Sequence, residues 1–110
     1  MKTFSVVLTH EAEISLTATY EYIYTLNPTA ANNWLDGIQE KIKGLANFPN
    51  KGAIIPEAEK NDTYSHLHQI FYSMNPSGNT YRIIYMIEDD VYKIVNVITI
   101  RSSVQKPYGE

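Results

Sequence analysis

Residues 4–8 alternate, with Phe4, Val6 and Leu8 on one side and Ser5 and Val7 on the other. That period of two predicts a strand. The period then lengthens. Ile14, Ala18 and Tyr22 recur every four residues, flanked by Leu16, Tyr20 and Ile23, which predicts a helix over about 10–26 with a broad apolar stripe. Thr9 suits its N-cap, and Glu11 and Glu13 favour the positive end of the helix dipole. Asn27-Pro28 restarts the chain as cap and first helical residue. In the next segment Ala31, Trp34, Leu35, Ile38, Ile42 and Leu45 follow helical spacing. Asn32, Asn33, Asp36, Gln39, Glu40 and Lys43 form the polar face. Phe48-Pro49 ends it, because a residue before proline avoids helical angles. The short break at Asn27 makes the two helices an antiparallel hairpin.

Residues 50–65 carry Gly52, Pro56 and the charges Lys51, Glu57, Glu59, Lys60 and Asp62, and read as an irregular connection. Three β-rich stretches follow, at about 66–74, 80–88 and 91–101. Turn residues Asn75-Pro76-Ser77-Gly78-Asn79 and Asp89-Asp90 separate them. The expected order is β-α-α-β-β-β. This is an α+β fold whose helical hairpin packs on one face of a small, mostly antiparallel twisted sheet. Residues 1–110 read as one domain, with a short polar tail over 102–110 that can fray.

Composition narrows the chemistry. Apolar residues make up 44 % of the chain and charged residues 19 %, which suits a folded globule. No apolar run reaches the roughly 20 residues of a membrane span. The segment after Lys2 is too short and too alternating for a signal peptide. With no cysteine there is no disulfide, thiolate nucleophile or cysteine-bound zinc. A cytoplasmic protein fits this pattern. The net charge of -3 lacks the global basic surface of a phosphate binder, so nucleic-acid contact requires a local patch. The two arginines, Arg82 and Arg101, both lie in the C-terminal third.

Several local patterns, in order, resemble the RelE/ParE toxin superfamily of type II toxin–antitoxin systems. They are Thr9-His10-Glu11-Ala12-Glu13 after the first strand, Tyr20-Glu21-Tyr22-Ile23, Asn27-Pro28 with Ala30-Ala31, and Leu45-Ala46-Asn47-Phe48-Pro49-Asn50-Lys51-Gly52. Ile55-Pro56-Glu57, Tyr81-Arg82-Ile83-Ile84-Tyr85 and the final stretch from Val91 to Arg101 complete the set. The resemblance covers about nine-tenths of the chain and is closer to the ParE-like branch. It implies a growth-inhibiting toxin, of a kind used in plasmid stabilisation, that is neutralised by a cognate antitoxin. ParE-like members poison DNA gyrase, and RelE-like members cut messenger RNA on the ribosome. A non-toxic, protein-binding relative is the third reading. No cofactor is implied, and the free chain is expected as a monomer or dimer.

In RelE-like ribonucleases, arginines at the places of Arg82 and Arg101 and a C-terminal tyrosine serve catalysis, which carries over here to Arg82, Arg101 and Tyr108; His66 and His68 could act as acid/base groups by their own chemistry, with His68 the catalytic candidate on the RelE-like reading. Arginine forks suit a crowded phosphate, and histidine titrates near neutrality. On the binding readings, Arg82, Arg101 and His66 are candidates for antitoxin or target contact. If Asp89-Asp90 is a two-residue turn, Glu88 pairs with Val91. Arg82 then falls opposite Val97, on the same face as Arg101 and about 13 Å from it. A three-residue turn sends the two arginines to opposite faces. The plain alternative for both is a surface ion pair with Glu88 or Glu57. His66 and His68 share a face if the strand begins there. A zinc site on them needs a third ligand such as Glu57 or Glu59, and edge-strand histidines are the simpler reading. The absence of lysine over 64–80, where RelE-like enzymes have it, counts against RNA cleavage. Trp34 reads as core, and Tyr108 is otherwise a loose tail residue.

Overall fold

A computed structural model describes residues 3–74, 78–89, 91, 93–103 and 108–109. Strand β1 (Ser5–Leu8) leads into helices α1 (His10–Leu26) and α2 (Pro28–Lys43). Strands β2 (Ala53–Ile54), β3 (Leu67–Ser73), β4 (Thr80–Asp89) and β5 (Ile94–Ser102) follow. The caps are those expected. Thr9 Oγ1 accepts the Ala12 N–H at 3.1 Å, and Asn27 Oδ1 accepts that of Ala30 at 3.1 Å. The second helical pattern runs on past Lys43 as a 3₁₀ turn, Gly44–Ala46, which buries Leu45.

The five strands lie in the order β1-β5-β4-β3-β2. β1 pairs parallel to β5, and the remaining neighbours are antiparallel. Both helices cover one face. Trp34, Ile38, Ile42 and Leu45 pack there with Ile70, Tyr81, Ile83, Tyr85, Val95, Val97 and Ile100. Trp34 meets Tyr81 edge-on, with ring centroids 5.3 Å apart. α1 is fastened to β5 by Ser15, whose hydroxyl accepts the Ile100 N–H at 3.1 Å.

Three expectations change. The connection over 50–65 holds a two-residue strand, β2, paired as Ala53↔Gln69 and Ile54↔His68. It also holds short 3₁₀ turns at Pro56–Glu59 and Asp62–Tyr64. This segment covers the sheet face away from the helices, with Ile55, Leu67 and Ile84 buried beneath Ala58, Tyr64 and Tyr108. A pattern so short has no readable period.

Secondly, α1 turns a different side to the sheet from the one its clearest spacing marks. Ala12, Leu16, Tyr20 and Ile23 face the core, while Ile14 and Tyr22 are exposed.

Thirdly, the β4–β5 register differs from both turn readings. Asp89 pairs with Ile94, so the link spans 90–93, with Lys93 at φ 60°. Asp90 lies outside the described residues, as do Asn75, Pro76 and Ser77. Arg82 is therefore directly opposite Arg101, not Val97. A bulge decides the faces: Ile84 pairs with Thr99 and Tyr85 with Val97, leaving Ile98 as the extra residue. Its carbonyl accepts the Thr9 hydroxyl at 2.9 Å, so the cap of α1 also secures the bulge. Val95 and Val97 face the helices. Uninterrupted alternation would send residue 101 the same way. The bulge turns Arg101 to the opposite face, beside Arg82.

Candidate functional site

The face away from the helices gathers Arg82, Arg101, Glu57, Gln69, Tyr64 and Tyr108. Arg82 rises from the middle of β4 into a fork-to-fork pair. Nη1 and Nη2 donate to the two Glu57 oxygens at 2.8 and 2.9 Å, and Nε donates to Gln69 Oε1 at 2.9 Å. The side chains are 11 % and 12 % exposed. Pro56 starts the 3₁₀ turn that carries Glu57, so the turn delivers the carboxylate from above. The Tyr108 N–H donates to the same carboxylate at 2.9 Å. The Arg82 hydrogen bonds, aided by Tyr108 and opposed by burial, hold the Glu57 carboxyl at about 2, against an ordinary 4.5.

Arg101 sits across the ladder from Arg82, and directly opposite residues have Cβ atoms roughly 5 Å apart. Its guanidinium lies 5.8 Å from the centroid of the Tyr108 ring, which also meets the Tyr64 ring at 5.3 Å. Burial pushes the Tyr108 hydroxyl up, Glu11 and Tyr64 add to that, and Arg101 opposes it. A cavity of about 360 Å³ opens between Pro56, Lys60, Asn61 and Tyr64 on one side and Tyr108 and Gly109 on the other. Tyr108 is thus packed rather than loose. Residues 104–107 and 110 of the tail lie outside the described residues.

The histidines belong elsewhere. β3 begins at Leu67, so His66 precedes the strand in an exposed turn and shares no strand face with His68. His68 lies opposite Tyr85 and stacks on its ring at 5.5 Å, on the helix side of the sheet. Its Nδ1 is 2.9 Å from the Gly52 carbonyl oxygen. A carbonyl only accepts, so Nδ1 carries a proton. The Tyr85 hydroxyl accepts the Gly52 N–H at 3.1 Å and donates to the Pro49 carbonyl at 2.5 Å. Burial raises its titration, against the Gly52 hydrogen bond. Tyr85 and His68 thereby hold the strand–loop junction. Among the described residues, no group of three His, Cys, Asp or Glu side chains could hold a metal ion.

Of the sequence candidates, Arg82, Arg101 and Tyr108 come together, and His66 and His68 stand apart from them. Glu57 was visible as a possible third ligand of a zinc site and as one possible ion-pair partner of the arginines. Glu88, the other, instead accepts a hydrogen bond from Asn96. Gln69 and Tyr64 gave no signal, because each joins the cluster through pairing and loop docking rather than through local pattern.

The model of the ParE toxin of the type II toxin–antitoxin system parDE matches residues 6–106. The chain belongs to the ParE toxin family. It is the toxin component of a type II toxin–antitoxin system. A solved structure described as the chromosomal ParDE TA system from P. aeruginosa is similar in fold. Its TM-score is 0.67 at 18 % identity, covering 90 % of this chain and 95 % of that one. No curated protein matches significantly. The ParE family assignment agrees with two helices on one face of a five-stranded mixed sheet.

Proposed function

We propose that this ParE-family toxin arrests growth in the cytoplasm by inhibiting DNA gyrase, and that a cognate antitoxin protein neutralises it. The observation that carries the reading is the Glu57–Arg82 fork pair. A ribonuclease needs a free cation for the phosphate and a nearby acid and base. Here Arg82 has its phosphate-shaped fork filled by a carboxylate. His68 is tied to Gly52 on the opposite face of the sheet. The net charge of -3 adds to this, since it disfavours a long phosphate chain as target. Arg101, Tyr108 and the surrounding cavity then serve as contacts to protein. Among the described residues no helix is long and apolar enough to cross a membrane.

The test is a supercoiling assay with purified gyrase and purified toxin. Inhibition relieved by the antitoxin is expected, with messenger RNA in toxin-expressing cells left uncut. Unaffected supercoiling at saturating toxin rejects the proposal. Messages cleaved at the ribosome would instead favour a RelE-like endoribonuclease using Arg82 and Arg101.

A further inference from the structure

We propose that the cavity between the 3₁₀ turns of residues 56–64 and the returning Tyr108-Gly109 binds a small aromatic acid: a planar ring, single or fused to a second, that carries a carboxylate. The two sides of the cavity are fastened to each other. The Tyr108 N–H reaches back across 51 positions to the Glu57 carboxylate at 2.9 Å, and the Tyr108 ring meets the Tyr64 ring at 5.3 Å. Gly109 completes the joint. It takes φ 92°, where a side chain is strained, and a Cβ there would sit 2.1 Å from the Tyr64 hydroxyl oxygen. A hydrogen bond, a ring contact and a close approach suited to glycine thus seat the tail, so the walls stand before a ligand arrives.

The walls select a flat ring. Tyr64 and Tyr108 are tilted 57° to each other, and Pro56 adds a third apolar ring to the lining. A planar ligand can lie flat on one tyrosine and present its edge to the other. The volume, about 360 Å³, lies at the small end of ligand sites and suits one or two fused rings better than a nucleotide. Charge selects the acid. Of the two charged side chains that line the cavity, Glu57 is already neutralised by the Arg82 fork, which holds both of its oxygens. Lys60 is exposed, and the ion pairs among the described residues do not include it. Glu59 and Asp62 belong to the same segment but do not line the cavity. Arg101 and Glu11 act on the Tyr108 hydroxyl in opposite directions and offset each other there. A ligand carboxylate therefore meets an unbalanced ammonium, whereas an aromatic amine meets repulsion. The cavity lies in the surface read above as a protein contact, so an occupied cavity would block that contact.

That consequence rests on the gyrase reading; the binding does not, and its test uses neither gyrase nor growth arrest. The probe is indole-3-acetate, titrated by NMR into the isotope-labelled 110-residue chain. Two controls accompany it: tryptamine, with the same ring and a cation, and cyclohexylacetate, with the acid and no aromatic ring. At the ordinary binding energy per atom, a ligand of about 13 heavy atoms has a Kd of about 0.5 mM. Shifts are expected at the amides of Lys60, Asn61, Tyr64 and Gly109. Each control should bind at least about fivefold more weakly. Lys60→Met should bring the acid and the amine within about twofold of each other, and Tyr108→Ala should weaken indole-3-acetate at least about fivefold. Neither residue is part of the buried core beneath the helices, so unchanged thermal melts are expected and confirm folding. The proposal is overturned if indole-3-acetate shifts nothing at about ten times that Kd, or if its shifts map elsewhere. It is also overturned if acid and amine bind alike, or if either variant binds as wild type. A short peptide with phenylalanine beside aspartate that binds here while the free acid does not overturns it in favour of a partner protein's side chain.

Discussion

Replacing Glu57 by Gln tests whether the ion pair above β4 fixes the 56–64 segment to the sheet. A carboxyl lowered from 4.5 to about 2 favours the folded state by about 3 kcal/mol at neutral pH, at 1.36 kcal/mol per pH unit. The pair lies shallowly beneath the surface, so solvent screening reduces the expected loss to about 2 kcal/mol. Two further consequences separate this from generic damage. The folded-state value is depressed, so the contribution is complete above pH 4.5 and disappears as pH falls toward 2. Glu57→Gln should therefore flatten the acid limb of the stability profile across that window. The variant also strands the Arg82 charge opposite Arg101, so adding Arg82→Met should recover part of the loss. Urea denaturation of the four proteins of this cycle, from pH 7 down to pH 2.5, measures all three effects. A Glu57→Gln protein with wild-type stability and an unchanged acid limb, or strict additivity in the cycle, would refute the reasoning.

Tyr85→Phe should cost about 2 kcal/mol in urea denaturation, because it leaves the Pro49 carbonyl and Gly52 N–H without their buried partner; a change below about 0.5 kcal/mol would show that the hydroxyl anchors nothing. Gly52→Ala should cost about 2 kcal/mol or more, since a Cβ there would sit 2.5 Å from the Gln69 carbonyl oxygen and 2.6 Å from the Tyr85 hydroxyl; a thermal midpoint equal to wild type would contradict the close approach.

The sequence by itself determined the elements whose causes are local. Thr9 and Asn27 cap the two helices through bonds spanning three residues, so a reader of the chain finds the helix starts. The inward row of α2 and its polar opposite face are equally plain, and Trp34 is core as its spacing says. The order of the two helices and the four longer strands, though not the two-residue β2, and the family kinship carried by motifs from Thr9 to Arg101, follow from the same local patterns.

Tertiary structure alone decided which of two apolar rows of α1 meets the sheet, because both have helical spacing and only the shape of the opposing face chooses between them. It also decided that Arg82 and Arg101 share a face. That outcome depends on the bulge at Ile98, held by Thr9 from 89 positions away in the chain. The docking of Glu57 on Arg82 spans 25 positions, and the return of Tyr108 to Glu57 spans 51. Contacts of that separation depend on how distant segments are brought together, which no window of neighbouring residues encodes.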